Sequence, residues 1–210
     1  MTTESYFNEA HRTVLKDVFT RLADFIHEHG LQQVVSIGPS AAPYTKHIAA
    51  AYERRYGRRV RVFNLGVLGE KLGDSSLDSA ERSLARLRRA KPEFDIGRNT
   101  LLFDEVSASN VGIQNASRKF RQMGILHKTA VLGRHWFSRD ESAPDFTGFQ
   151  DRRGDRNSLV VRLSLGVSNE LVERRIKKLP LFNFKKVHNE LREIADSVPI
   201  KEEAKRRIEK

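Results

Sequence analysis

Hydrophobic residues over roughly the first two thirds of the chain alternate between two spacings, which predicts alternating helices and strands. Apolar positions at intervals of three and four, from Val14 to Ile26, predict a helix over 6–29 that Gly30 ends. Short apolar runs predict strands at 34–37, 60–65, 101–103 and 129–132. Helical spacing predicts helices between them at 44–56 and 113–123. This alternation predicts an α/β fold with a doubly wound parallel sheet.

The pattern changes after about residue 136. A long polar stretch covers 138–157, and the apolar run at 159–165 predicts one more strand. Charged segments at 171–178, 187–195 and 201–209 predict helices, and Pro180 and Pro199 separate them. We therefore predict two parts, an α/β domain over 1–168 and a charged helical appendage over 169–210.

The chain is strongly basic, with a formal net charge of +11 and an isoelectric point near 10.1. Basic residues are concentrated at 82–91, where a basic helix is predicted to end before Pro92, and at 152–156 and 174–178. Such a surplus favours polyanions or phosphorylated metabolites as partners. A solvated basic surface without a specific nucleic-acid partner is the alternative, and the charge pattern leaves both open.

Several classes of protein are disfavoured. No apolar stretch approaches the roughly 18 residues of a membrane span, so no membrane partner is expected. The first residues lack the pattern of a secretory signal, and the absence of cysteine excludes disulfides and thiolate chemistry. A cytoplasmic protein is the simplest expectation.

The predicted strand at 101–103 runs into two adjacent carboxylates, Asp104 and Glu105. A loop of mostly small residues follows and opens the next helix; its residues are Ser107, Ala108, Ser109, Asn110, Val111 and Gly112. Ligands of open α/β sheets bind at the carboxyl ends of strands, and a helix N-terminus presents N–H groups to phosphate. Carboxylates accept hydrogen bonds from sugar hydroxyls, so the combination predicts a ribose-phosphate site. An ordinary strand end with solvated acids is the alternative.

This arrangement resembles the type I phosphoribosyltransferases, in which an apolar strand, two acids and a small-residue loop precede a helix. The resemblance implies that Asp104 and Glu105 bind ribose hydroxyls and that 107–112 bind the 5′-phosphate. It also implies that the loop after the first strand binds pyrophosphate, with residues Gly38, Pro39, Ser40 and Ala41. Mg²⁺ is implied as cofactor, with no direct metal ligand predicted from the chain, and a homodimer is a further expectation from the family.

Residues 144–149 and the apolar run after them look like the hypoxanthine–guanine branch of that family. By this resemblance Arg134 and Phe146 lie on the base side of the site. The chain also departs from the branch, because Ala108 stands where the branch has its loop Asp, so no general base is identified. A basic helix is predicted in place of the usual mobile lid between Gly66 and Pro92.

These observations predict a phosphoribosyltransferase-like protein that binds phosphoribosyl pyrophosphate or a nucleotide. Transfer of the pentosyl group to a nitrogenous base is a further prediction, and whether the chain is an enzyme is left open. The alternative is a catalytically inactive member that senses a nucleotide or binds nucleic acid through its basic surface.

Overall fold

The computed structural model describes residues 5–37, 41–64, 85, 88–107, 111–135, 143–151, 159, 163 and 184–208. Five helices are described: α1 (Glu9–Glu28), α2 (Ala42–Tyr56), α3 (Val111–Gln122), α4 (Phe184–Asp196) and α5 (Glu202–Ile208). Five strands are described: β1 (Gln33–Ser36), β2 (Arg61–Asn64), β3 (Thr100–Ser107), β4 (His127–His135) and β5 (Phe146–Asp151). No helix within these ranges is long and apolar enough to span a bilayer.

The five strands form one parallel sheet in the order β2-β1-β3-β4-β5. Val35 of β1 lies between Phe63 of β2 and Leu102 of β3, so β1 and β3 are neighbours in the middle of the sheet. From β1 the chain proceeds to β2 on one side, and from β3 it proceeds to β4 and β5 on the other. The predicted doubly wound α/β fold is therefore confirmed, and its topological switch point lies between β1 and β3.

Two hydrophobic cores cover the two faces of the sheet. The first joins the sheet to α1, α2 and α4, with Phe19, Ile48, Phe103 and Leu191 fully buried in it. The second, smaller core joins α3 to Val35, Leu102 and Val131. Because α4 contributes to the main core, the predicted C-terminal helices pack on the α/β domain. The predicted boundary at residue 168 lies outside the described residues.

Two of the strand predictions from sequence are corrected. No strand was predicted in the long polar stretch, but β5 lies in it; Phe146 and Gly148 are buried and alternate with the half-buried Thr147 and Phe149. The strand predicted at 159–165 is wrong at the positions described, since Leu159 and Leu163 are helical. Both side chains are buried in the first core.

The predicted basic helix before Pro92 falls mostly outside the described residues. Residues 85 and 88–90 are helical there. Gly30, predicted to end the first helix, is confirmed in that role with a positive φ angle of 57°, and Gly57 after α2 likewise has a φ of 61°.

The start of the chain is attached to α4 by one buried carboxylate. Glu190 accepts hydrogen bonds from the backbone N–H of Tyr6 at 2.7 Å and of Phe7 at 2.9 Å, and from the hydroxyl of Ser5 at 2.8 Å. A buried carboxylate with this many donors is well satisfied. The contact ties the N-terminal segment to the C-terminal helix on the first face of the sheet.

A pair of histidines joins α2 to α4. Nε2 of His47 lies 3.0 Å from Nδ1 of His188. Burial lowers the pKa of His47 to about 4, and the charges of its neighbours His188, Arg192 and Lys46 lower it further in the same direction. Burial also lowers the pKa of His188, as do Lys46 and Arg192. The interface therefore requires neutral imidazoles.

We expect this pair to make the fold sensitive to acid. Between pH 6.5 and about 4 the unfolded chain binds a proton at His47 that the native protein does not, so stability falls as the pH drops through this window. The free energy of unfolding should decrease by about 2 kcal/mol between pH 7 and pH 5 from this group. Urea unfolding of His47→Gln should show a flatter pH profile over that range, whereas the exposed His29→Gln control should follow the wild type. Parallel profiles for all three proteins would contradict the expectation.

Candidate functional site

The crevice at the switch point is formed by the carboxyl ends of β1 and β3. The N–H of Ile37 donates to the carbonyl of Phe103 at 3.1 Å, which is the last contact between the two segments in the described ranges. After it, the chain from β1 proceeds toward α2, whereas β3 continues to Ser107 beside β4. Asp104 and Glu105 are the first β3 residues beyond this contact, so the acid pair lies at the switch point.

The sequence predicted that the strand ends at the acid pair. In the structure the acid pair lies within β3 and does not end it. Asp104 is in register with Val131 of β4, and Ser107 with Arg134. The sequence could not show this extension, because the polar acids end the apolar run although the backbone pairing continues. The N–H of Glu105 donates to Oδ1 of Asp104 at 3.1 Å, which directs the Asp104 carboxyl toward the next residue.

The electrostatics of the pair are unfavourable for two charges. Asp104 is half-buried, and its pKa is raised well above the ordinary value of 3.8, by burial first and then by the charge and the hydrogen bond of Glu105. Glu105 is only 7% exposed. Its Oε2 atom is buried and has no hydrogen-bond partner among the described residues. A buried acceptor without a donor costs about 1–3 kcal/mol, so the native protein keeps these carboxylates at a cost in stability.

Tyr44 of α2 is buried in the first core, close enough to Glu105 to be affected by its charge. Its hydroxyl donates to the carbonyl of Leu163 at 2.9 Å. Burial, and then the nearby charge of Glu105, raise the pKa of the Tyr44 hydroxyl well above 10. The sequence did not single out Tyr44, because an aromatic residue on a helix face is ordinarily part of a core. In the structure Tyr44 lies near Glu105.

Of the two residues predicted on the base side, only Arg134 lies at the carboxyl end of the sheet. It is 5% exposed and in register with Ser107 on one side and Gln150 on the other. Phe146 is buried in the first core, with its ring centroid 5.5 Å from that of Phe25. The structure thus brings Arg134 to the same end of the sheet as the acid pair and gives Phe146 a packing role.

The stretch over 144–149 has further structural contacts of its own. Oδ2 of Asp145 accepts from both the N–H and the hydroxyl of Thr129 at 2.8 Å, and its Oδ1 lies 3.2 Å from Nζ of Lys128. These bonds join the starts of β4 and β5. They hold the pKa of Asp145 below its ordinary value although burial alone would raise it.

The two predicted phosphate-binding loops are described only at their ends. Residues 38–40 and 108–110 lie outside the described residues. Ala41 is buried directly before α2, Ser107 is the last residue of β3, and Val111 and Gly112 begin α3. A Cβ atom at Gly112 would meet nothing within 4 Å, so its own surroundings do not require glycine. The loop between β3 and α3 begins two residues after the acid pair.

The unfavourable electrostatics of the acid pair lead to a stability prediction for Asp104→Asn. A carboxyl whose pKa is raised on folding lowers the free energy of unfolding as the pH rises above about 3.8. An amide keeps an oxygen for the Glu105 N–H but carries no charge, so the variant should be more stable than the wild type at pH 7, by about 1 kcal/mol. Urea unfolding at pH 7 measures this. The exposed α1 carboxylate in Asp17→Asn serves as control and should give no gain; a destabilised Asp104→Asn would contradict the prediction.

No protein-family model matches the chain, and no curated protein sequence matches it. Three solved structures to which it is similar are a purine phosphoribosyltransferase from Pyrococcus horikoshii, a hypoxanthine-guanine phosphoribosyltransferase from Schistosoma mansoni in complex with IMP, and a hypothetical protein from Neisseria gonorrhoeae with bound ppGpp. The identities are 12%, 14% and 14%, and the TM-scores are 0.35, 0.44 and 0.41. The matches cover 66%, 68% and 72% of this chain and 83%, 65% and 85% of the respective structures. Because the identities and TM-scores are this low, the ligand and the activity have to be argued from the residues of this chain. Membership of the hypoxanthine–guanine branch in particular is not supported.

Proposed function

We propose that this protein binds a phosphorylated ribose, as phosphoribosyl pyrophosphate or a nucleotide, in the crevice at the switch point. The observation that carries the proposal is the acid pair beyond the last β1 contact of β3, where a buried oxygen of Glu105 has no partner within the part of the chain that the structure describes. Two carboxyl groups that lower the stability of the protein are expected at the ligand-binding edge of an α/β sheet if a ligand supplies the hydrogen-bond donors that they lack. Neighbouring hydroxyls of a ribose are donors of this kind.

Each part of the ligand has a candidate partner at this end of the sheet. Asp104 and Glu105 would hold the ribose hydroxyls. The backbone over 107–112, which leads into the N-terminus of α3, would bind the 5′-phosphate, and 38–41 would bind a pyrophosphate group. Arg134 would lie on the side of the base, because β4 places it next to the end of β3.

Pentosyl transfer is the reaction that such a site would support. A bond would form between the anomeric carbon and a ring nitrogen of the base, and pyrophosphate would leave with the electron pair of the broken C–O bond. The proton of that nitrogen would pass to the departing pyrophosphate or to solvent. When bound, Mg²⁺ would neutralise charge on the pyrophosphate. The described residues contain no group of three His, Asp or Glu side chains that could hold a metal. The phosphate oxygens of the ligand would therefore supply most of the ligands of Mg²⁺.

Binding is tested by calorimetry with phosphoribosyl pyrophosphate and with purine and pyrimidine nucleotides, each with and without Mg²⁺. We expect association with at least one of these ligands. Glu105→Gln and Asp104→Asn should each weaken it about tenfold or more, because a hydrogen bond to a charged group contributes about 1.5–3 kcal/mol. Asp17→Asn, on the outer surface of α1, should bind as the wild type does. Absence of heat with every ligand, or full binding by both acid-pair variants, would contradict the proposal.

Transfer is tested separately by incubating the protein with phosphoribosyl pyrophosphate, Mg²⁺ and a panel of bases. Release of pyrophosphate with formation of a nucleotide, read by mass spectrometry, identifies an enzyme. Binding without product identifies the second candidate, an inactive member that senses a nucleotide. Ala108, which leaves the loop without a carboxylate to accept a proton, favours this second outcome.

A further inference from the structure

A second groove lies along α3, away from the acid pair. It has a volume of about 440 Å³ and is bounded by α3 on one side and by 143–145, before β5, on the other. Residues along α3 from Ile113 to Arg121 line it, so it follows the helix for about 12 Å. Its size is that of pockets that hold small ligands. Thr129, near the start of β4, places the groove toward the amino ends of the strands, whereas the acid pair lies at their carboxyl ends.

Two arginines on one face of α3 line this groove. Arg118 and Arg121 are three residues apart, so their side chains are neighbours on the helix surface. Both are exposed, and neither has a carboxylate partner among the described residues. The carboxylate that also lines the groove, Asp145, already accepts hydrogen bonds from Thr129 and lies within ion-pair distance of Lys128. The groove therefore carries positive charge that the surrounding described residues do not neutralise.

The guanidinium of Arg121 is held in place by a chain of hydrogen bonds. Nδ1 of His127 lies 2.8 Å from the carbonyl of Ile125 and must donate to it, which leaves Nε2 as an acceptor. The Ser117 hydroxyl, 2.8 Å from Nε2, then donates to His127, and its oxygen accepts from Nη2 of Arg121 at 3.2 Å. Burial lowers the pKa of His127, and the charge of Arg121 contributes to this, so the imidazole stays neutral in this role. The chain orients one guanidinium toward the groove before any ligand arrives.

We propose that this groove binds a small phosphorylated ligand, a phosphate monoester or diphosphate. A guanidinium presents paired N–H donors that match two phosphate oxygens. Two of them about one helix turn apart would each contact a separate oxygen pair of one ligand. The side-chain amide of Gln114 also lines the groove, and its N–H groups are neutral donors of the kind that fix the rest of such a ligand.

The groove is tested by titrating the full chain with inorganic pyrophosphate and following the backbone amides by NMR. We expect saturable shifts of residues 113–121, Ala143 and Asp145, and weaker binding as salt rises. Arg118→Gln and Arg121→Gln should each reduce the affinity about tenfold, and the double variant should abolish the shifts. Arg58→Gln, an exposed arginine before β2 at the other edge of the sheet, should bind as the wild type does.

Shifts that persist in the double variant, or that are equally reduced by Arg58→Gln, would overturn the proposal, as would an absence of shifts in the wild type. Because the substituted arginines are exposed, circular dichroism should confirm that every variant remains folded. The same titration of Asp104→Asn with pyrophosphate tests binding in this groove independently of binding in the switch-point crevice. The groove shifts should remain in that variant even if the switch-point crevice binds no ribose.

Discussion

Arg55→Met should lower the free energy of unfolding by about 3–5 kcal/mol, because it removes one partner of a mostly buried ion pair. Arg55 of α2 bonds both carboxylate oxygens of Asp24 on α1, with Nε–Oδ1 at 2.7 Å and Nη2–Oδ2 at 2.9 Å. Its Nη1 donates to the carbonyl of Pro199 at 2.9 Å. The side chains of Arg55 and Asp24 are only 10% and 25% exposed. One guanidinium therefore joins two helices to the segment that leads into α5.

The neighbouring groups show how strongly this cluster depends on charge. Burial alone would raise the pKa of Asp24, but hydrogen bonds from Arg55 and Tyr56 hold it below its ordinary value. Burial and the bond to Asp24 raise the pKa of Tyr56 to about 12. Without Arg55, the partners left to Asp24 among the described residues would be the Tyr56 hydroxyl and the amine of Lys201, 4.0 Å away.

A matched control for this prediction lies on the same helix and just beyond it. Arg59 forms an ion pair with Glu53 at 2.6 Å, but the two side chains are 85% and 46% exposed. Exposed pairs of this kind contribute about 0–1 kcal/mol. Urea unfolding should therefore show a far smaller effect for Arg59→Met. If the two variants were equally stable, the buried pair would not have the structural importance assigned to it.

Gly148→Ala should lower the free energy of unfolding by roughly 3 kcal/mol or more, the upper end of the cost of overpacking. A Cβ atom at Gly148 would lie 2.3 Å from the carbonyl oxygen of Leu132 and 2.5 Å from Cγ1 of Val18. The first of these atoms is backbone of the neighbouring strand, and the second belongs to α1, fully buried against the sheet. Neither can move without separating α1 from β5 or β5 from β4.

Thermal or urea unfolding measures this effect, and Gly112→Ala provides the control. A Cβ atom at Gly112 meets nothing within 4 Å, so alanine there should be neutral or slightly stabilising in α3. Adding Val18→Ala to Gly148→Ala should recover only part of the loss, since the Leu132 carbonyl remains. A Gly148→Ala protein as stable as the wild type would show that α1 does not pack against β5 as described.

The sequence predicted the alternation of helices and strands well, because buried parallel strands are short apolar runs and glycines end two of the helices. It failed where a strand carries polar residues. β5 was missed because its two aromatic residues are separated by Thr147 and Gly148 and followed by polar Gln150 and Asp151, and β3 was ended too early because Asp104 and Glu105 interrupt its apolar run. In both segments the hydrogen bonds to a neighbouring strand, which no local pattern reveals, determine the structure.

The candidate site was predictable in its position but not in its energetics. The residue types alone predicted two acids near the carboxyl end of a strand, although β3 continues for two residues beyond them. The burial of Glu105, its oxygen without a partner among the described residues and its nearness to Tyr44 depend on tertiary packing, which no local pattern reveals. Phe146 shows the converse, since a residue predicted to face a base is in contact with Phe25 in the core.

The central claim, that the acid pair binds ribose hydroxyls, is tested most directly with ribose 5-phosphate and 2-deoxyribose 5-phosphate, which differ in one hydroxyl. Calorimetry should show that the wild type binds the ribose compound at least about tenfold more tightly, because the deoxy compound leaves a buried carboxylate oxygen unpaired. In Glu105→Gln combined with Asp104→Asn this preference should be lost, while Asp17→Asn keeps it. Equal affinity of the wild type for the two sugars would contradict the claim.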